Sequence, residues 1–595
     1  MAHHEHSNLG VTITDDVISF RVWAPFAKSI AVSIMDNGWH DTAMVAEENG
    51  YWSATTPDAV IGQTYQYVIE TNDGKKLNKI DPYAKQLTQS DGGLGVISDP
   101  SFEWGDAKFT LPAKEQQIIY ELHIGTFNRP DASTSGTFDT AIEKLDYLKN
   151  LGINVIELMP ITSFAFGSGW GYAPNHIFSV EESYGGRHGL LEFVKACHDR
   201  GIGVLLDVVY NHFYKETVNG IQKQTDLWQF DGWSENNRGG IYFYNDPRGD
   251  TPWGGRPDYG RPQVRQFLLD NVAMWFSEYR IDGLRVDSTI YMRNTEGPEG
   301  GIDTSIPEAW TLLQEITDLA HKITPYALVT AEDSSGEPKI TASIKDGGLG
   351  FDSQWGLGFP HALRKSLGLE GDQSVADLAG ELQHLYNNDT YQKIVFSDSH
   401  DTAANGSVRL NEAASPGNAT NTGARKQAIV ANAVMLTAPG IPMFLQGSEF
   451  LQAGAFNEYE MLEWENTKQF AGIVLAHKHL IDLRLNTYGN TAGLQGHSLN
   501  VFHQDASNFV MAYHRFEKGG KGDDTIIIVN FGAHKHHRYD VTFPIPGTWQ
   551  LRFNSSWKGY SSDFYETHQE AVTTDEHGVA TLALADYSVV IFSQD

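Results

Sequence analysis

The stretch "TFDTAIEKLDYLKNLGINVIELMPI", residues 137–161, contains the repeating pattern on which the fold prediction rests. Its first part carries apolar residues at helical spacing and ends at Gly152, which is typical of an amphipathic helix with a glycine cap. Its second part is an apolar run of the length of a buried strand. A helix that leads directly into a buried strand is part of a βα unit, and the flanking sequence repeats this pattern.

Eight apolar strands alternate with amphipathic helices along the middle of the chain. They are predicted to begin near residues 117, 153, 202, 281, 327, 349, 393 and 441. Such alternation predicts a parallel sheet, and eight units predict an α/β fold with a (β/α)8 TIM barrel. Residues 213–262 are rich in Gly, Trp, Asn and Pro, and we expect a long loop insertion after the third strand.

The two flanks of the chain are rich in short β-strands. "VISFRVWAP", "SIAVSIMD", "GYWSATTP" and "YQYVIET" alternate with turn residues, which predicts an N-terminal β-sandwich over residues 1–112. "NVFHQ", "NFVMAYHRF", "TIIIVNF" and "YSVVIFS" predict a C-terminal all-β domain, a second sandwich, over residues 489–595. We then expect residues 113–488 to form the barrel.

Composition indicates a globular protein with a neutral substrate. The 595 residues are 41% hydrophobic and 20% charged, and the formal net charge is −32. Such a surface repels nucleic acid and anionic membranes. Cys197 is the single cysteine, so no intrachain disulfide forms, and neither a signal peptide nor an apolar run long enough to span a bilayer is visible. We therefore expect a cytoplasmic protein, as a monomer or small homo-oligomer.

Polar residues gather where the predicted strands end, and this is the face that carries active sites in TIM barrels. One Asp at a strand end is more often a helix N-cap than a catalyst, but the joint placement favours a function. The residues are Asp207, Asn211 and His212 after the third strand, Arg285 and Asp287 after the fourth, Glu332 after the fifth, His400 and Asp401 after the seventh, and Trp170 and Tyr172 in the loop after the second.

Arg285 and Asp287 share one face of their strand, and burying both is costly unless they pair or perform chemistry. Clustered His and Asp can ligate zinc or manganese, but Arg285 beside Asp287 opposes a cation, and no H-x-H or H-x-x-x-H pair stands at the strand ends. A Gly-rich phosphate loop with a lysine is also missing from the sequence. The interpretation that remains is a pair of carboxylates that carries out hydrolysis or transfer of glycosides.

Four motifs carry a family resemblance. "DVVYNH", "GLRVD", "TAED" and "SDSHD", in this order and spacing, resemble the signature regions of the α-amylase family, glycoside hydrolase family 13. "FRVWAPFAKSIAVSI" and "IDPYAKQL" are similar to the β-sandwich that precedes the barrel in branching enzymes, isoamylases and trehalose-forming hydrolases. All four motifs keep their charged residues, which disfavours a non-catalytic scaffold.

The resemblance implies a retaining mechanism with Asp287 as nucleophile and Glu332 as general acid and base, whose pKa would have to be raised. It implies that Arg285 holds Asp287, that Asp207 supports Arg285, that Asp401, His212 and His400 bind the reacting sugar ring and that Tyr172 stacks beneath it. Trp170, Tyr244 and Trp253 are expected as aromatic walls for glucan. Asn211 matches a calcium ligand of many amylases, but branching-type relatives usually lack that ion, so we expect neither a metal nor another cofactor.

The activity within the family is less sharply indicated. "IIYELHIGTF" and "IELMPITSFAFGSGWGY" resemble branching enzymes and maltooligosyltrehalose trehalohydrolases and favour the latter. "IYFYNDPRGDTPWGGRPDYG" and "SHDTAANGSVRL" resemble branching enzymes, and "EDSSGEP" departs from the trehalohydrolase pattern, although Thr402 stands where many branching enzymes have Glu.

We therefore expect a 1,4-α-glucan branching enzyme that acts on α-1,4-glucans such as starch, glycogen and maltooligosaccharides. The alternatives are a maltooligosyltrehalose trehalohydrolase, another α-glucan hydrolase of the α-amylase type, and a glucan-binding protein without turnover. Whether the protein changes soluble starch separates the last alternative from the enzymes.

Overall fold

A computed structural model of the protein describes residues 8–14, 17–90, 92–106, 108–165, 169–218, 221–567 and 570–595. Its contacts group into two compact units. The first unit comprises Met1–Thr110, His123–Glu143 and Leu158–Phe351, and the second comprises Leu111–Leu122, Lys144–Glu157 and Asp352–Asp595. Within the described residues, no helix has the length and apolar character needed to cross a membrane.

Two antiparallel sheets make up the N-terminal region, which confirms the predicted sandwich. Their strand orders are β1-β2-β6-β5 and β4-β3-β7-β8, with β9 paired to β7. Along β7 every second residue is buried, as expected of a strand with one face in a core. The strands are β1 Gly10–Thr14, β2 Val17–Trp23, β3 Ala27–Met35, β4 Trp39–Ala43, β5 Val45–Ala46, β6 Tyr51–Thr56, β7 Thr64–Thr71, β8 Lys76–Lys79 and β9 Gly95–Val96.

Eight strands close into a barrel in the order β10-β11-β14-β18-β19-β20-β21-β22, which confirms the predicted TIM barrel. They are β10 Ile119–Leu122, β11 Val155–Leu158, β14 Gly203–Val208, β18 Gly283–Val286, β19 Leu328–Ala331, β20 Ser353–Trp355, β21 Lys393–Phe396 and β22 Ile441–Leu445. The strand expected near residue 349 begins only at Ser353. Gly350 before it has a φ of +79°, and an extended strand cannot accommodate that value.

Helices and short accessory strands connect the barrel strands. The helices are α1 Ile124–Phe127, α2 Phe138–Ile142, α3 Leu145–Leu151, α4 Gly186–Asp199, α5 Pro262–Ser277, α6 Thr289–Arg293, α7 Pro307–Ile323, α8 Gly358–Ser366, α9 Val375–Gln383, α10 Leu410–Ala414, α11 Thr422–Thr437, α12 Asn466–Gln469 and α13 Ala471–Arg484. The accessory strands are β12 Thr162–Phe164, β13 Pro174–Val180, β15 Phe213–Val218, β16 Ile221–Gln224 and β17 Gly254–Gly255. The stretch 213–262, expected as a loop, thus contains the β15–β16 hairpin, and β17 pairs with β15.

Local sequence signals set the start of α2 and the end of α3 within residues 137–161. The backbone N–H of Thr140 donates to the Thr137 side chain at 3.2 Å, and the two residues form a reciprocal cap of α2. Gly152 ends α3 with a φ of +107°, and its N–H donates to the Leu148 carbonyl. A Cβ at residue 152 would lie 2.5 Å from Cγ2 of Ile481, so both backbone conformation and packing require glycine here.

An antiparallel sheet of order β23-β24-β25-β30-β27-β28 and the separate pair β26-β29 form the C-terminal all-β domain, as predicted. Trp549 and Phe592 lie in its core, which draws residues from both sheets. Half-exposed strands such as β26 were missed because their sequences are largely polar. The strands are β23 Ser498–Asp505, β24 Val510–Phe516, β25 Thr525–Asn530, β26 His536–Thr542, β27 Thr548–Asn554, β28 Ala571–Thr573, β29 Val579–Leu584 and β30 Ser588–Ser593.

One buried carboxylate makes the stability of the barrel depend on pH. Glu449 is fully buried and accepts hydrogen bonds from the hydroxyls of Tyr120 at 3.2 Å and Tyr147 at 3.1 Å. Burial raises the pKa of Glu449 from 4.5 to about 7. The folded state therefore holds a proton that the unfolded state releases above pH 4.5.

We expect Glu449→Gln to flatten this dependence. The stabilisation linked to Glu449 is complete below pH 4.5 and is lost as the pH rises to about 7. Over this range the free energy of unfolding falls by on the order of 1 kcal/mol per pH unit. A neutral Gln has no such loss, so the melting temperature of the variant should rise relative to the native protein between pH 5 and 8. A pH-independent difference between the two proteins would contradict the assignment.

Candidate active site

The predicted site residues lie at or just beyond the carboxyl ends of barrel strands or in the neighbouring loops. Asp207 lies in β14, and Arg285 lies in β18. Asp287 and Glu332 follow the last residues of β18 and β19 directly. Parallel strands of a barrel present these ends on one face, where chemistry is carried out in TIM-barrel proteins. The remaining residues are Asn211 and His212 after β14, Trp170 and Tyr172 before β13, and His400 and Asp401 after β21.

Arg285 is the centre of a buried charge cluster. Its side chain is fully buried, and its Nη1 donates to Asp207 Oδ2 and to Asp287 Oδ1, both at 2.7 Å. Its Nη2 lies 3.7 Å from Glu332 Oε2. One guanidinium group therefore contacts three carboxylates and fixes their relative positions. Leu284 and Val286 on either side of Arg285 are also fully buried, so the cation lies on a strand that is otherwise apolar at this point.

Asp287 is held from two sides. Besides the Arg285 contact to Oδ1, the Asn211 side-chain amide donates to Oδ2 at 2.7 Å and to the Asp287 carbonyl at 3.0 Å. His212 Nδ1 lies against Asn211 Oδ1, and His212 Nε2 lies 2.7 Å from the Tyr172 carbonyl. The amide of Asn211 is thus oriented toward the carboxylate, a role that the sequence did not indicate.

Glu332 is positioned by the backbone that follows Asp287. The N–H of Ser288 donates to Glu332 Oε2 at 2.7 Å. Ser288 has a φ of +42° and a ψ of +55°, a left-handed conformation that is uncommon for any residue other than glycine. Such strain persists where surrounding interactions enforce it, and it occurs often at functional sites. The strained turn ties the two carboxyl groups together.

Asp333 is a buried supporting residue that the sequence did not single out. It accepts hydrogen bonds from Thr289 Oγ1 at 2.7 Å and from Arg293 Nη2 at 3.0 Å and Nε at 3.1 Å. The Thr289 N–H also donates to the Glu332 carbonyl at 2.9 Å. These bonds connect the start of α6 to residues 332 and 333 and so hold the backbone of Glu332 in place. A second acidic residue beside an expected acid was the only sequence signal.

Burial shifts the pKa values of several groups in the cluster. Burial raises the pKa of Asp207 to about 7, against the lowering effect of Arg285. Burial lowers the pKa of His212, so its imidazole is neutral at neutral pH. The pKa of Arg285 stays well above its usual value because the carboxylates outweigh the cost of its burial. The cluster therefore keeps a permanent cation among its acids.

His400 and Asp401 lie in the second unit. His400 is almost fully buried, with Nδ1 2.6 Å from Glu121 Oε1, and its backbone N–H donates to Glu121 Oε2 at 2.9 Å. Its Nε2 lies 3.4 Å from Asp401 Oδ2, and 49% of the Asp401 side chain is exposed. Glu121 on β10 fixes the imidazole and was missed, because the partners lie far apart in the sequence.

Aromatic residues of the loops differ in their exposure. Trp253 is 49% exposed, and its ring lies 5.7 Å from His212 and 4.7 Å from Tyr291. Tyr244, expected as a glucan wall, is buried, and its hydroxyl donates to Glu308 at 3.2 Å, so that expectation is wrong. Its ring is covered by the guanidinium of Arg248, which removes it from solvent.

The "GWGY" segment places Tyr172 against the charge cluster. The Tyr172 hydroxyl donates to Asp207 Oδ2, and Trp170 beside it in sequence is half-buried. Gly171 between them has a φ of +92°, and a Cβ there would lie 2.3 Å from the Pro160 carbonyl oxygen. Only glycine fits this close approach, which explains the residue between the two aromatic rings.

Removing the charge of Asp207 should loosen Arg285 without unfolding the protein. We expect Asp207→Asn to lower kcat by about 10–100-fold with little change in KM, as when an outer partner of a reacting group is lost. Asp282→Asn is the matched control, because Asp282 is equally buried, directly precedes β18 and accepts its bonds from His198 and the Val204 N–H. Equal losses in both variants would show that burial, not the Arg285 contact, explains the effect.

Metal removal should have little effect. Among the described residues, no group of three or more His, Cys, Asp or Glu side chains is arranged to hold a metal ion. The Asn211 amide faces Asp287 and His212. We therefore expect EDTA dialysis to leave activity and melting temperature unchanged. A large loss that calcium restores would identify Asn211 as a ligand.

Family models match nearly all of this architecture. Residues 122–474 match the catalytic domain of alpha amylase, residues 8–84 match carbohydrate-binding module 48, the isoamylase N-terminal domain, and residues 501–595 match the alpha amylase C-terminal all-beta domain. The chain is 30% identical to the 1,4-alpha-glucan branching enzyme GlgB 2 of Xanthomonas oryzae, over 91% of this chain and 76% of that one. It is 29% identical to the malto-oligosyltrehalose trehalohydrolase of Saccharolobus solfataricus, over 78% of each chain.

Solved structures share the fold at lower sequence identity. A pullulanase from Anoxybacillus, complexed with maltotetraose, is 19% identical with a TM-score of 0.76 over 100% of this chain and 88% of that one. The catalytic module of SpuA, a glycogen-degrading pneumococcal virulence factor, is 18% identical with a TM-score of 0.78 over 100% and 98%. At this identity the likeness concerns the arrangement of the chain alone.

Proposed function

The chain belongs to the α-amylase family, and we propose that it is a retaining enzyme for α-glucans with Asp287 as nucleophile and Glu332 as general acid and base. The observation that carries this proposal is the pair of carboxyl groups around Arg285. Asp287 lies 2.7 Å from Nη1 of Arg285, and Glu332 lies 3.7 Å from Nη2. In retaining glycoside chemistry two carboxyl groups flank the scissile bond, one as nucleophile and the other as general acid and then base.

In the first step an oxygen of Asp287 attacks the anomeric carbon of the donor sugar. Glu332 gives its proton to the glycosidic oxygen, so the bond to the leaving chain breaks as the ester to Asp287 forms. In the second step Glu332, now ionised, takes a proton from an acceptor hydroxyl. That oxygen displaces Asp287 from the anomeric carbon, and the configuration is retained.

The surrounding residues position these two groups. Arg285 and Asn211 hold the two oxygens of Asp287, and the Ser288 N–H holds Glu332. We propose Tyr172 and His212 as neighbours of the reacting sugar, since both contact this cluster. For the same sugar we propose hydrogen bonds from His400 and the half-exposed carboxylate of Asp401, as the family resemblance implies.

Within the family we propose a 1,4-α-glucan branching enzyme, which transfers the cleaved chain to a glucan 6-hydroxyl. Water competes at a concentration of about 55 M, so transfer needs an acceptor held in near-attack geometry. Trp253 supplies an exposed indole next to His212 for such an acceptor. The branching enzymes among the similar proteins support this choice.

Product analysis on amylose tests the activity. A branching enzyme lowers the iodine colour while few reducing ends appear, and debranching with isoamylase then releases short linear chains. Trp253→Ala should raise the ratio of reducing ends to branches, with Tyr565→Ala, at a 44% exposed residue of the C-terminal domain, as a control. Reducing ends that rise with the colour loss would identify a hydrolase.

A trehalohydrolase is the second candidate, because one such enzyme is among the similar proteins. Release of free trehalose from maltooligosyltrehalose would establish it. Soluble starch that remains unchanged by purified protein would favour a binding protein without turnover.

A further inference from the structure

We propose that the C-terminal all-β domain carries a glucan-binding cavity around Trp557, separate from the catalytic residues. This inference rests on the proposed α-glucan substrate. The cavity has a volume of about 600 Å³ and is bordered by β27 and the segment that follows it, with His479 of α13 at one side. Small-molecule sites have volumes of ~300–1,000 Å³, so the cavity suits a short stretch of a sugar chain.

Trp557 provides an exposed and well-fixed ring. It is 41% exposed, although most large aromatic residues of this domain are buried. A Cβ at Gly559 would lie 2.4 Å from the indole, so the ring lies directly over the glycine backbone. The Tyr560 ring meets the indole edge-on at 5.0 Å and an interplanar angle of 89°. These contacts hold the indole in place and leave part of it open to solvent.

A second layer supports the platform. The ring of Phe553 stacks on Tyr560 at 5.5 Å and 29°. The Tyr560 hydroxyl lies 2.8 Å from His479 Nδ1, which anchors the ring to α13. A rigid aromatic surface loses little conformational entropy on binding, which is the property that stacking sites need.

The charges around the cavity favour a neutral polyhydroxyl ligand. Glu566 and Glu570 line it and can accept hydrogen bonds from sugar hydroxyls. The cations among its described lining residues are engaged or neutral. Arg552 pairs with the Asp595 side chain and donates to Ser593 Oγ at 2.8 Å, and burial lowers the pKa of His479. An anionic ligand would meet the two glutamates without a free cation.

The faces of a pyranose ring expose C–H groups, and the negative face of an aromatic ring attracts them. Carboxylates at the border of an aromatic platform bind the equatorial hydroxyls of the same sugar. A polymeric glucan is therefore the ligand that this combination fits, and the cavity anchors the polymer while another stretch of it reacts. Short substrates do not need this anchor.

The test compares binding of glycogen with turnover of maltoheptaose. Trp557→Ala should weaken retardation of the full-length protein in glycogen-containing native gels by about tenfold, as when a central aromatic anchor is truncated. Turnover of maltoheptaose should stay within about twofold of the native rate, because the catalytic residues are untouched. Tyr565→Ala is the matched control. Tyr565 is 44% exposed on the same domain but lies outside the cavity, beneath Lys535.

Retardation of Trp557→Ala equal to that of the native protein would overturn the cavity proposal, while activity on maltoheptaose would leave the proposed function intact. Native protein that converts no α-glucan would overturn the proposed function instead. If Trp557→Ala is unstable in thermal melting, Glu566→Ala provides the test, since it keeps the indole and should also weaken retardation. A changed molecular mass of Trp557→Ala, with unchanged retardation, would assign the cavity to an interface between copies and contradict the proposal.

Discussion

Asp287→Asn is expected to abolish turnover of α-glucans and to leave the fold intact. An amide is a far poorer nucleophile than a carboxylate, so no glycosyl ester forms. Loss of the nucleophile typically lowers kcat by roughly 10⁴–10⁶-fold. The Asn oxygen still accepts the bond from Arg285, which remains paired with Asp207 at 2.7 Å. The variant should therefore melt within a few degrees of the native protein.

The control for this prediction is binding. Asp287→Asn should still be retarded by glycogen, because neither the sugar contacts nor the C-terminal domain change. Activity of the variant on any α-glucan near the native rate would show that Asp287 is not the nucleophile. Loss of both binding and folding would assign Asp287 a structural role.

Glu332→Gln is expected to lose the proton donor and, in the second step, the base. General acid–base catalysis typically contributes 10²–10⁴-fold, so turnover of amylose should fall by about that factor. The Gln amide keeps an oxygen that accepts from the Ser288 N–H, the bond that positions Glu332 at 2.7 Å in the native protein. The fold should be unaffected.

A maltosyl fluoride separates these two roles. Fluoride leaves without protonation, so Glu332→Gln should form the ester from this substrate at nearly the native rate. The ester should then accumulate, since the variant lacks the base that activates the acceptor. If the first release of fluoride by Glu332→Gln were slowed as much as its turnover of amylose, the role of Glu332 as acid would be contradicted.

Much of the barrel was predictable because its signals are local. Apolar runs, glycine caps and turn residues give the strands and helices, and the strand ends follow from the order of the elements. The polar side chains at those strand ends could be identified from the sequence in the same way. Asp207 is the neighbour of Arg285 across the parallel strands β14 and β18. Arg285 and Asp287 are two residues apart along the chain.

The contacts that orient the site were less visible. Glu121 binds His400 across 279 sequence positions, and no local periodicity reports such a pair. The left-handed turn at Ser288 contains no glycine that would indicate it, and the Ser288 N–H donates to Glu332, which is distant in the sequence. The Asn211 amide and the buried Tyr244 show that residue type alone does not give the partner of a side chain. The packing of segments that are distant in the sequence decides which groups a side chain contacts.

The most direct test of the retaining mechanism is the mass of Glu332→Gln after incubation with α-maltosyl fluoride. We expect the intact mass to increase by one maltosyl group and the label to lie on the peptide containing Asp287. The double variant with Asp287→Asn should gain no mass. A label on another carboxylate, or single-variant protein that turns over the fluoride without any label, would contradict the central claim that Asp287 forms the covalent intermediate.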